Sequence, residues 1–260
     1  MISVIISTYN QVYFDSISKS IQDTIGVEYE IIGIENHAQY SLCKAYNMGV
    51  SKAKYPYLCF VHEDVIFLTN QWGKRLISIM EEDSTVGLIG VVGTKFKSTY
   101  PTTGWGNGPF VKQFARGHVF TDRKLKTHLE FDARNTKTEI EDAVIVDGIF
   151  MFTKFEVMNK CHFDDVILTH FHAYDADFSL QVFFNSYRVL IDRGISLVHY
   201  SPGVFAADFA KENKKVVQKW GSKLPAASSD LGLYKMQLNY YNILCWCGYL
   251  KNMIVRKLNI

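Results

Sequence analysis

The strongest constraint on the fold of this chain is a regular alternation of two patterns through residues 1–92. Short apolar runs at residues 3–7, 30–34, 57–61 and 86–92 are typical of buried strands. The segments between them, at residues 13–24, 41–52 and 71–82, place apolar side chains at helical intervals. Strands that alternate with helices form βαβ units with right-handed crossovers. The sequence therefore predicts an α/β fold with a Rossmann-like, mostly parallel central sheet flanked by helices.

The alternation stops after residue 92. Residues 93–141 are mostly polar, with glycines and prolines clustered around Trp105, and they predict a long, loop-like connection that orders when a ligand binds. Regular patterns then resume, with strands expected at 143–146, 149–152, 188–191 and 196–200, and helices at 175–187, 205–220 and 231–258. We therefore expect a domain of residues 1–203, made of halves 1–92 and 93–203, and a C-terminal helical extension, 204–260.

Composition narrows the class of protein. Apolar residues form 48% of the 260-residue chain, which is enough for a large core. The net charge of +2 argues against a strongly basic nucleic-acid-binding protein. Five cysteines without a Cys-x-x-Cys pair favour a reducing compartment and argue against a zinc ribbon.

The sequence also bears on location. No stretch has the length and apolarity of a membrane-spanning helix, and the N-terminus lacks the pattern of a signal peptide, so we expect a cytoplasmic protein. Residues 234–258 combine apolar and aromatic side chains with Lys251, Arg256 and Lys257, which suits peripheral contact with the inner face of a membrane. Packing of this segment on the domain, or on a second copy in a homo-oligomer, is the alternative.

The clearest chemical signal is His62-Glu63-Asp64, directly after the apolar run 57–61. Ligands of open α/β sheets bind just beyond the carboxyl ends of the strands. Extended residues alternate sides, so His62 and Asp64 should point one way and Glu63 the other. Histidine and carboxylate ligands suit a divalent cation that also contacts phosphate oxygens. A pair of solvated charges at a strand end is the alternative interpretation.

Four residues near the first two strands are candidates for binding a nucleotide. Thr8, Tyr9 and Asn10 follow the first strand, where small polar groups before a helix suit a phosphate or a nucleotide, or else form a helix cap. Glu35 ends the second strand and could accept a hydrogen bond from a base or ribose, or remain solvated. In the next helix Asn47 interrupts an apolar stretch and either faces a ligand or is a capped or exposed amide.

Further carboxylates and a histidine occur in the second half. Asp147 follows an expected strand, and Gly148 permits close approach of the backbone to a ligand. Asp175 and Asp177 open an expected helix, where one carboxylate can serve the helix N-terminus and the other is available as a general base. The sequence leaves open which is which. His199 ends a short strand, and it becomes a ligand candidate only if it lies near Asp64.

Taken in order, these motifs resemble the family-2-type glycosyltransferases of GT-A fold. The resemblance is strongest to the bacterial subgroup that carries His-x-Asp in place of Asp-x-Asp, and it covers residues 1–203. It rests on the segments 3–10, 45–47, 60–65, 146–148, 171–180 and 198–201. The resemblance implies an inverting, metal-dependent transferase of the hexosyltransferase type, acting in polysaccharide biosynthesis. The expected donor is a nucleotide-diphosphate sugar, a UDP-sugar in the first instance, and the expected acceptor is a hydroxyl of a glycan or lipid-linked glycan.

The resemblance also implies roles for individual residues. Thr8, Tyr9 and Glu35 would hold the nucleoside, and Asp147 would touch the donor sugar or the acceptor. A metal ion, Mn²⁺ or Mg²⁺, would be held on the diphosphate by Asp64, with His62 and His199 as further ligands. Asp175 occupies the usual position of the catalytic base, although Tyr174 replaces the glutamate that many relatives have before it. A nucleotidyltransferase and a non-catalytic carbohydrate- or nucleotide-binding protein remain the competing functions.

Overall fold

The computed structural model describes residues 1–101, 115–123, 126–132, 138–200 and 207–257. Trp105 belongs to the segment 93–141 that the sequence predicts to order on ligand binding, and it lies outside the described residues.

The core of the molecule is a seven-stranded, mostly parallel sheet, as the sequence predicts. Its spatial order is β10 (Ile140–Ala143), β13 (Arg188–Asp192), β5 (Val86–Gly90), β12 (Phe150–Lys154), β3 (Tyr57–Val61), β1 (Ile2–Thr8) and β2 (Tyr29–Glu35). Strands β1, β2, β3, β5 and β13 share one direction, whereas β10 and β12 run antiparallel to their neighbours. The carboxyl ends of β1, β2 and β3 therefore meet at one edge of the sheet.

Helices cover both faces of this sheet. In the described part of the chain, the α-helices are α1 (Gln11–Thr24), α2 (Leu42–Val50), α3 (Trp72–Glu82), α4 (Tyr174–Phe184), α5 (Ala207–Trp220) and α6 (Lys235–Lys257). Alternate residues of a strand point to opposite faces, so Ile5 packs in one core with α2 and α4, while Val4 and Ile6 pack in another with α1 and α3. This two-sided burial explains the continuous apolar runs of β1 and β3.

A second sheet adjoins the carboxyl edge of the first. Its order is β11 (Ile145–Val146), β6 (Val92–Thr94), β8 (Ala115–Arg123), β14 (Leu197–His199) and β4 (Val65–Phe67), and β9 (Lys126–Asp132) pairs with β8. The expectation that residues 93–141 are loop-like is therefore wrong, because in the described part of this stretch five strands lie wholly or in part, with β7 (Phe96–Lys97) the shortest. Strands β6 and β7 pair with partners far away in sequence, namely β11 and β15 (Ala226–Ala227). Pairing of this kind produces no local sequence pattern that would predict the strand.

Two runs expected to be single strands are each divided between the sheets. Residues 86–92 supply β5 to the first sheet and open β6 in the second, and the run 143–146 divides in the same way, with Ala143 ending β10 and Ile145–Val146 forming β11. Gly93 lies where β6 pairs with β11, and a Cβ atom there would lie 2.1 Å from the carbonyl oxygen of Ile145. Only glycine permits this approach of the two backbones.

The C-terminal helices pack on the domain at two places. Near the end of α5, Lys219 and Trp220 contact Asp177 of α4. On α6, Cys245 packs in a small cluster with Phe96 of β7, and Asn242 accepts hydrogen bonds from the N–H and the hydroxyl of Thr99 at 2.8 and 3.0 Å. Within the described ranges, every helix is too short or too polar to cross a membrane.

Candidate active site

The carboxyl edge of the central sheet gathers most of the predicted polar residues. Thr8 pairs with Glu35 at the ends of β1 and β2, and His62 follows directly after β3. His62, Glu63 and Asp64 form a tight turn from β3 into β4, held by a hydrogen bond from the His62 N–H to the carbonyl of Ile149 at 3.2 Å. Strand β14 pairs with β4 and brings His199 opposite Val65.

His62, Asp64 and His199 form a compact group. Each offers one ligand atom, and these atoms all lie within 4.8 Å of one another. Oδ1 of Asp64 lies 3.4 Å from Nε2 of His199, and the two imidazole rings are 5.6 Å apart. Two imidazoles and a carboxylate at this separation fit a divalent cation with open positions for further oxygen ligands.

The protonation states of His62 and Asp64 also suit a cation. Burial lowers the pKa of His62, and the adjacent His199 lowers it further, so the imidazole is held neutral. Burial alone would raise the pKa of Asp64, but the hydrogen bond and charge of His199 outweigh it and lower that pKa. A neutral imidazole and an ionised carboxylate are the forms that bind metal.

Tyr174, the first residue of α4, fixes the orientation of His62. Its hydroxyl lies 2.7 Å from Nε2 of His62, and its ring is buried against Tyr46 with centroids 5.6 Å apart. Gly148 makes room for this hydroxyl, because a Cβ atom there would lie 2.0 Å from the oxygen. Tyr174 is not among the site residues predicted from the sequence. The one sequence feature that could have indicated its role is its position beside Asp175.

Asp175 lies in the first turn of α4 and faces the same region. Its carboxylate accepts hydrogen bonds from the N–H of Gly148 at 3.1 Å and from that of Ala176 at 2.8 Å. Burial, and then the nearby charge of Asp147, raise the pKa of Asp175 to about 7. A carboxylate with such a pKa is well matched to accepting a proton near neutral pH.

Asp177 has different surroundings although it lies only two residues further along α4. It is 1% exposed and accepts hydrogen bonds from Lys219 at 2.8 Å, Trp220 at 2.7 Å and Gln181 at 2.8 Å. Both of its oxygens are therefore engaged by the protein, and they join α4 to α5.

The ends of β1 and β2 form the other side of the edge. Glu63 is buried, and one of its oxygens accepts hydrogen bonds from the hydroxyl of Thr8 and from the N–H groups of Tyr9 (3.1 Å) and Asn10 (3.2 Å). Glu63 was missed as a site residue, although its predicted orientation away from His62 and Asp64 agrees with these contacts. The Tyr9 side chain is exposed and open to a ligand.

Glu35 is exposed at the end of β2 and contacts His37 at 3.0 Å. Beside it lies an open cavity of about 420 Å³, which Tyr40 and Lys52 also line. Its volume and polar lining leave space for a polar ligand next to Glu35.

Two residues predicted from the sequence as ligand contacts make hydrogen bonds that support the fold. The Asn47 amide donates to the carbonyl of Phe163 at 2.8 Å, which ties α2 to the segment before α4. The Asn10 side chain accepts from the N–H groups of Val12 and Tyr13 and so caps α1. In both cases the polar side chain satisfies backbone partners, and for Asn10 this is the helix cap that the sequence offered as the alternative.

Comparisons with known proteins agree with this geometry. The model of a family described as "Glycosyltransferase like family" matches residues 3–220. A comparison with curated protein sequences found no match. Among solved structures, GalNAc-T7 with UDP, GalNAc and Mn²⁺ is similar at a TM-score of 0.58 and 12% identity, over 86% of this chain and 49% of that one. Residues 1–349 of S. aureus TarS give a TM-score of 0.53 and 14% identity, over 93% of this chain and 69% of that one.

At these identities the likeness to solved structures establishes the fold, and this chain spans about half of the GalNAc-T7 chain. The neighbours are glycosyltransferases of GT-A fold, which confirms the predicted architecture. Because the family model extends over residues 3–220 of 260, the chain belongs to the glycosyltransferase-like family.

Proposed function

We propose that this protein is an inverting glycosyltransferase that moves a sugar from a UDP-sugar to a hydroxyl of a glycan or lipid-linked glycan, with Asp175 as the general base. One observation carries the proposal. A carboxylate whose pKa is raised to about 7 lies at the N-terminus of α4, at the sheet edge that also gathers His62, Asp64 and His199. A base and a cation site at one edge are what transfer from a sugar diphosphate requires.

Asp175 performs the proton transfer in this scheme. The acceptor hydroxyl donates its proton to the ionised carboxylate as its oxygen forms a bond to the anomeric carbon. The bond from that carbon to the diphosphate oxygen breaks on the opposite face, and its electron pair leaves with the diphosphate. One displacement from the face opposite the leaving group inverts the anomeric configuration. The N–H groups of Gly148 and Ala176 hold the carboxylate in place for this step.

His62, Asp64 and His199 would hold the divalent metal, and their donor set fits one. When bound, such an ion supplies positive charge that stabilises the departing diphosphate. Tyr174 fixes the orientation of one of the three ligands through its bond to His62. This hydrogen bond is of the kind that tunes metal affinity from outside the ligand set.

The remaining residues divide between donor and acceptor. Thr8 and Tyr9, beside the buried Glu63, and Glu35, beside the open cavity, would receive the nucleoside. Asp147 would contact the donor sugar or the acceptor, since its charge already acts on Asp175. Residues 95–141 would form part of the acceptor side. The GalNAc-T7 structure, which holds UDP and Mn²⁺, supports the choice of a UDP-sugar as the first donor to test.

The test is a donor-hydrolysis and transfer assay over a panel of nucleotide sugars, with Mn²⁺, with Mg²⁺ and with a chelator. We expect turnover of a UDP-sugar that depends on metal, with the product in the inverted configuration by NMR. Asp64→Asn should abolish turnover, whereas Asp23→Asn, at an exposed carboxylate paired with Lys19, should leave it unchanged. Full activity of Asp64→Asn at every metal concentration would contradict the assigned metal site, and retention of configuration would contradict the single displacement.

A further inference from the structure

Helix α6 is apolar on two opposite faces. One face packs on the domain, where Cys245 is buried and Tyr241 meets Phe96 with ring centroids 6.2 Å apart. A helix at the surface of a protein normally needs only one apolar face. A second apolar face costs solubility unless something covers it.

The other face of α6 is exposed and forms a continuous apolar stripe. Met236 is 80% exposed, Tyr240 and Ile243 are each 57% exposed, and Cys247 and Leu250 are also exposed. These positions follow one another at intervals of four, three, four and three residues, which places them on one side of a helix. A contiguous exposed apolar surface of this kind marks an interaction site.

Aromatic side chains extend the stripe at its border. Tyr234 precedes the helix and is largely exposed. Trp246 is partly exposed and stacks on Tyr100 at 4.7 Å. Tyrosine and tryptophan are favoured at the boundary between lipid and water, because their rings are apolar and their polar groups stay hydrated.

The charges of residues 231–260 indicate what kind of surface covers the exposed face of α6. Residues 231–260 contain four cations, Lys235, Lys251, Arg256 and Lys257, and no Asp or Glu. Two copies of α6 would bring together two segments of the same positive net charge, with no acidic side chain in either to offset it. An anionic lipid surface instead supplies the opposite charge and attracts each Lys or Arg that lies near it.

We propose that α6 docks this protein on an anionic membrane, with the helix lying in the plane of the interface and its exposed stripe turned to the acyl chains. The helix lies on the bilayer and does not cross it, since no helix in the part of the chain that the structure describes is long and apolar enough to span it. The inference does not depend on the proposed function, because its test measures binding and not sugar transfer.

The experiment is a vesicle flotation assay with the full chain and Ile243→Asp. The vesicles contain phosphatidylcholine alone or phosphatidylcholine with phosphatidylglycerol at about 30%, a range in which each basic residue contributes measurably. Val166→Asp is the matched control, since it makes the same charge change at a largely exposed apolar residue outside α6. Circular dichroism shows whether each variant is folded.

We expect the wild type and Val166→Asp to float with the anionic vesicles, and Ile243→Asp to bind at least about tenfold more weakly. Binding should also weaken as salt is raised, because screening removes the attraction of the cations. Sedimentation velocity should show that the unbound protein does not pair through this face. Equal binding by the two variants, equal binding to neutral vesicles, absence of binding, or a dimer that Ile243→Asp disperses would each overturn the proposal.

Discussion

Asp175 and Asp177 lie two residues apart on α4, and their neighbours give them different chemistry. Asp177 is surrounded by donors and forms an ion pair with Lys219. Asp175 accepts hydrogen bonds from two backbone N–H groups, and burial, followed by the like charge of Asp147, raises its pKa to about 7. At the scale of the residue, partners therefore decide which carboxylate is free to accept a proton.

The first prediction compares these two carboxylates. Asp175→Asn should lower kcat by about 10²–10⁴ because the base is lost, while the affinity for the nucleotide stays nearly unchanged. Asp177→Asn should keep a measurable kcat and lose stability, because Lys219 would then face a neutral amide. Single-turnover kinetics, nucleotide titration and thermal unfolding separate the two effects. An inactive Asp177→Asn beside an active Asp175→Asn would reverse the assignment.

The second prediction concerns the pH dependence of the rate. The base must be ionised to accept a proton, and the pKa of Asp175 is raised to about 7. Thus kcat/KM should rise about tenfold per pH unit below pH 7 and level off above it. The measurement is kcat/KM from about pH 5 to about pH 9 at saturating metal. A rate that is flat across this range would show that a group with an ordinary carboxylate pKa acts instead.

The third prediction concerns Tyr174. Tyr174→Phe keeps the buried ring and removes the hydroxyl that holds His62, so the affinity for Mn²⁺ should fall by about tenfold or more. Calorimetric titration of the metal measures this directly, and excess Mn²⁺ should restore most of kcat. Tyr241→Phe is the control, because its ring packs on Phe96 far from the site. Unchanged metal affinity in Tyr174→Phe would rule out the positioning role.

At the scale of the element, α4 depends on α5 for its position. The start of α4 carries Tyr174 and Asp175, and the contact of Asp177 with Lys219 and Trp220 fixes this turn from the opposite side. The Lys219 ammonium also donates a hydrogen bond to Asp164, at 2.7 Å, in the segment before α4. One side chain of α5 therefore holds two segments that frame the site.

The fourth prediction tests this connection. Lys219→Met leaves the buried carboxylate of Asp177 without its cation and should destabilise the fold by about 2–4 kcal/mol. Lys211→Met, on the same helix, removes a lysine that is 71% exposed and should change stability by less than about 0.5 kcal/mol. Urea unfolding of the two variants gives the comparison. Similar losses in both would mean that the buried pair contributes no more than a surface pair.

At the scale of the whole molecule, the candidate metal site joins the two sheets. His62 and Asp64 leave the first sheet at the end of β3, and His199 belongs to β14 of the second. An ion held by all three would therefore bind the folded chain and have no equivalent site in the unfolded one. Binding to the folded state alone raises stability by mass action.

The fifth prediction follows from this arrangement. Mn²⁺ at about a hundredfold excess over its dissociation constant should stabilise the protein by about 2.7 kcal/mol and raise Tm accordingly. The shift should disappear in Asp64→Asn and persist in Asp23→Asn. Thermal scans with and without Mn²⁺ measure it. An equal shift in all three proteins would place the ion elsewhere.

Local patterns in the sequence were enough to predict the α/β architecture and the edge of the sheet where the site lies. The apolar runs of β1 and β3 and the helical spacing between them are local patterns, so they identify the central sheet, and the polar turn from His62 to Asp64 marks the end of one of its strands. Because extended residues alternate sides, the sequence also predicted that His62 and Asp64 point one way and Glu63 the other.

The remaining features of the site depend on contacts between segments that meet only in the folded protein. The proximity of His199 to Asp64 depends on β14 pairing with β4, and the difference between Asp175 and Asp177 depends on α5 packing against α4. The pairing of β6 with β11, the bond from Asn47 to Phe163 and the contact of Tyr174 with His62 likewise join segments far apart in the chain. Local periodicity carries no record of such partners, because burial and charge pairing are fixed only when the distant segments meet.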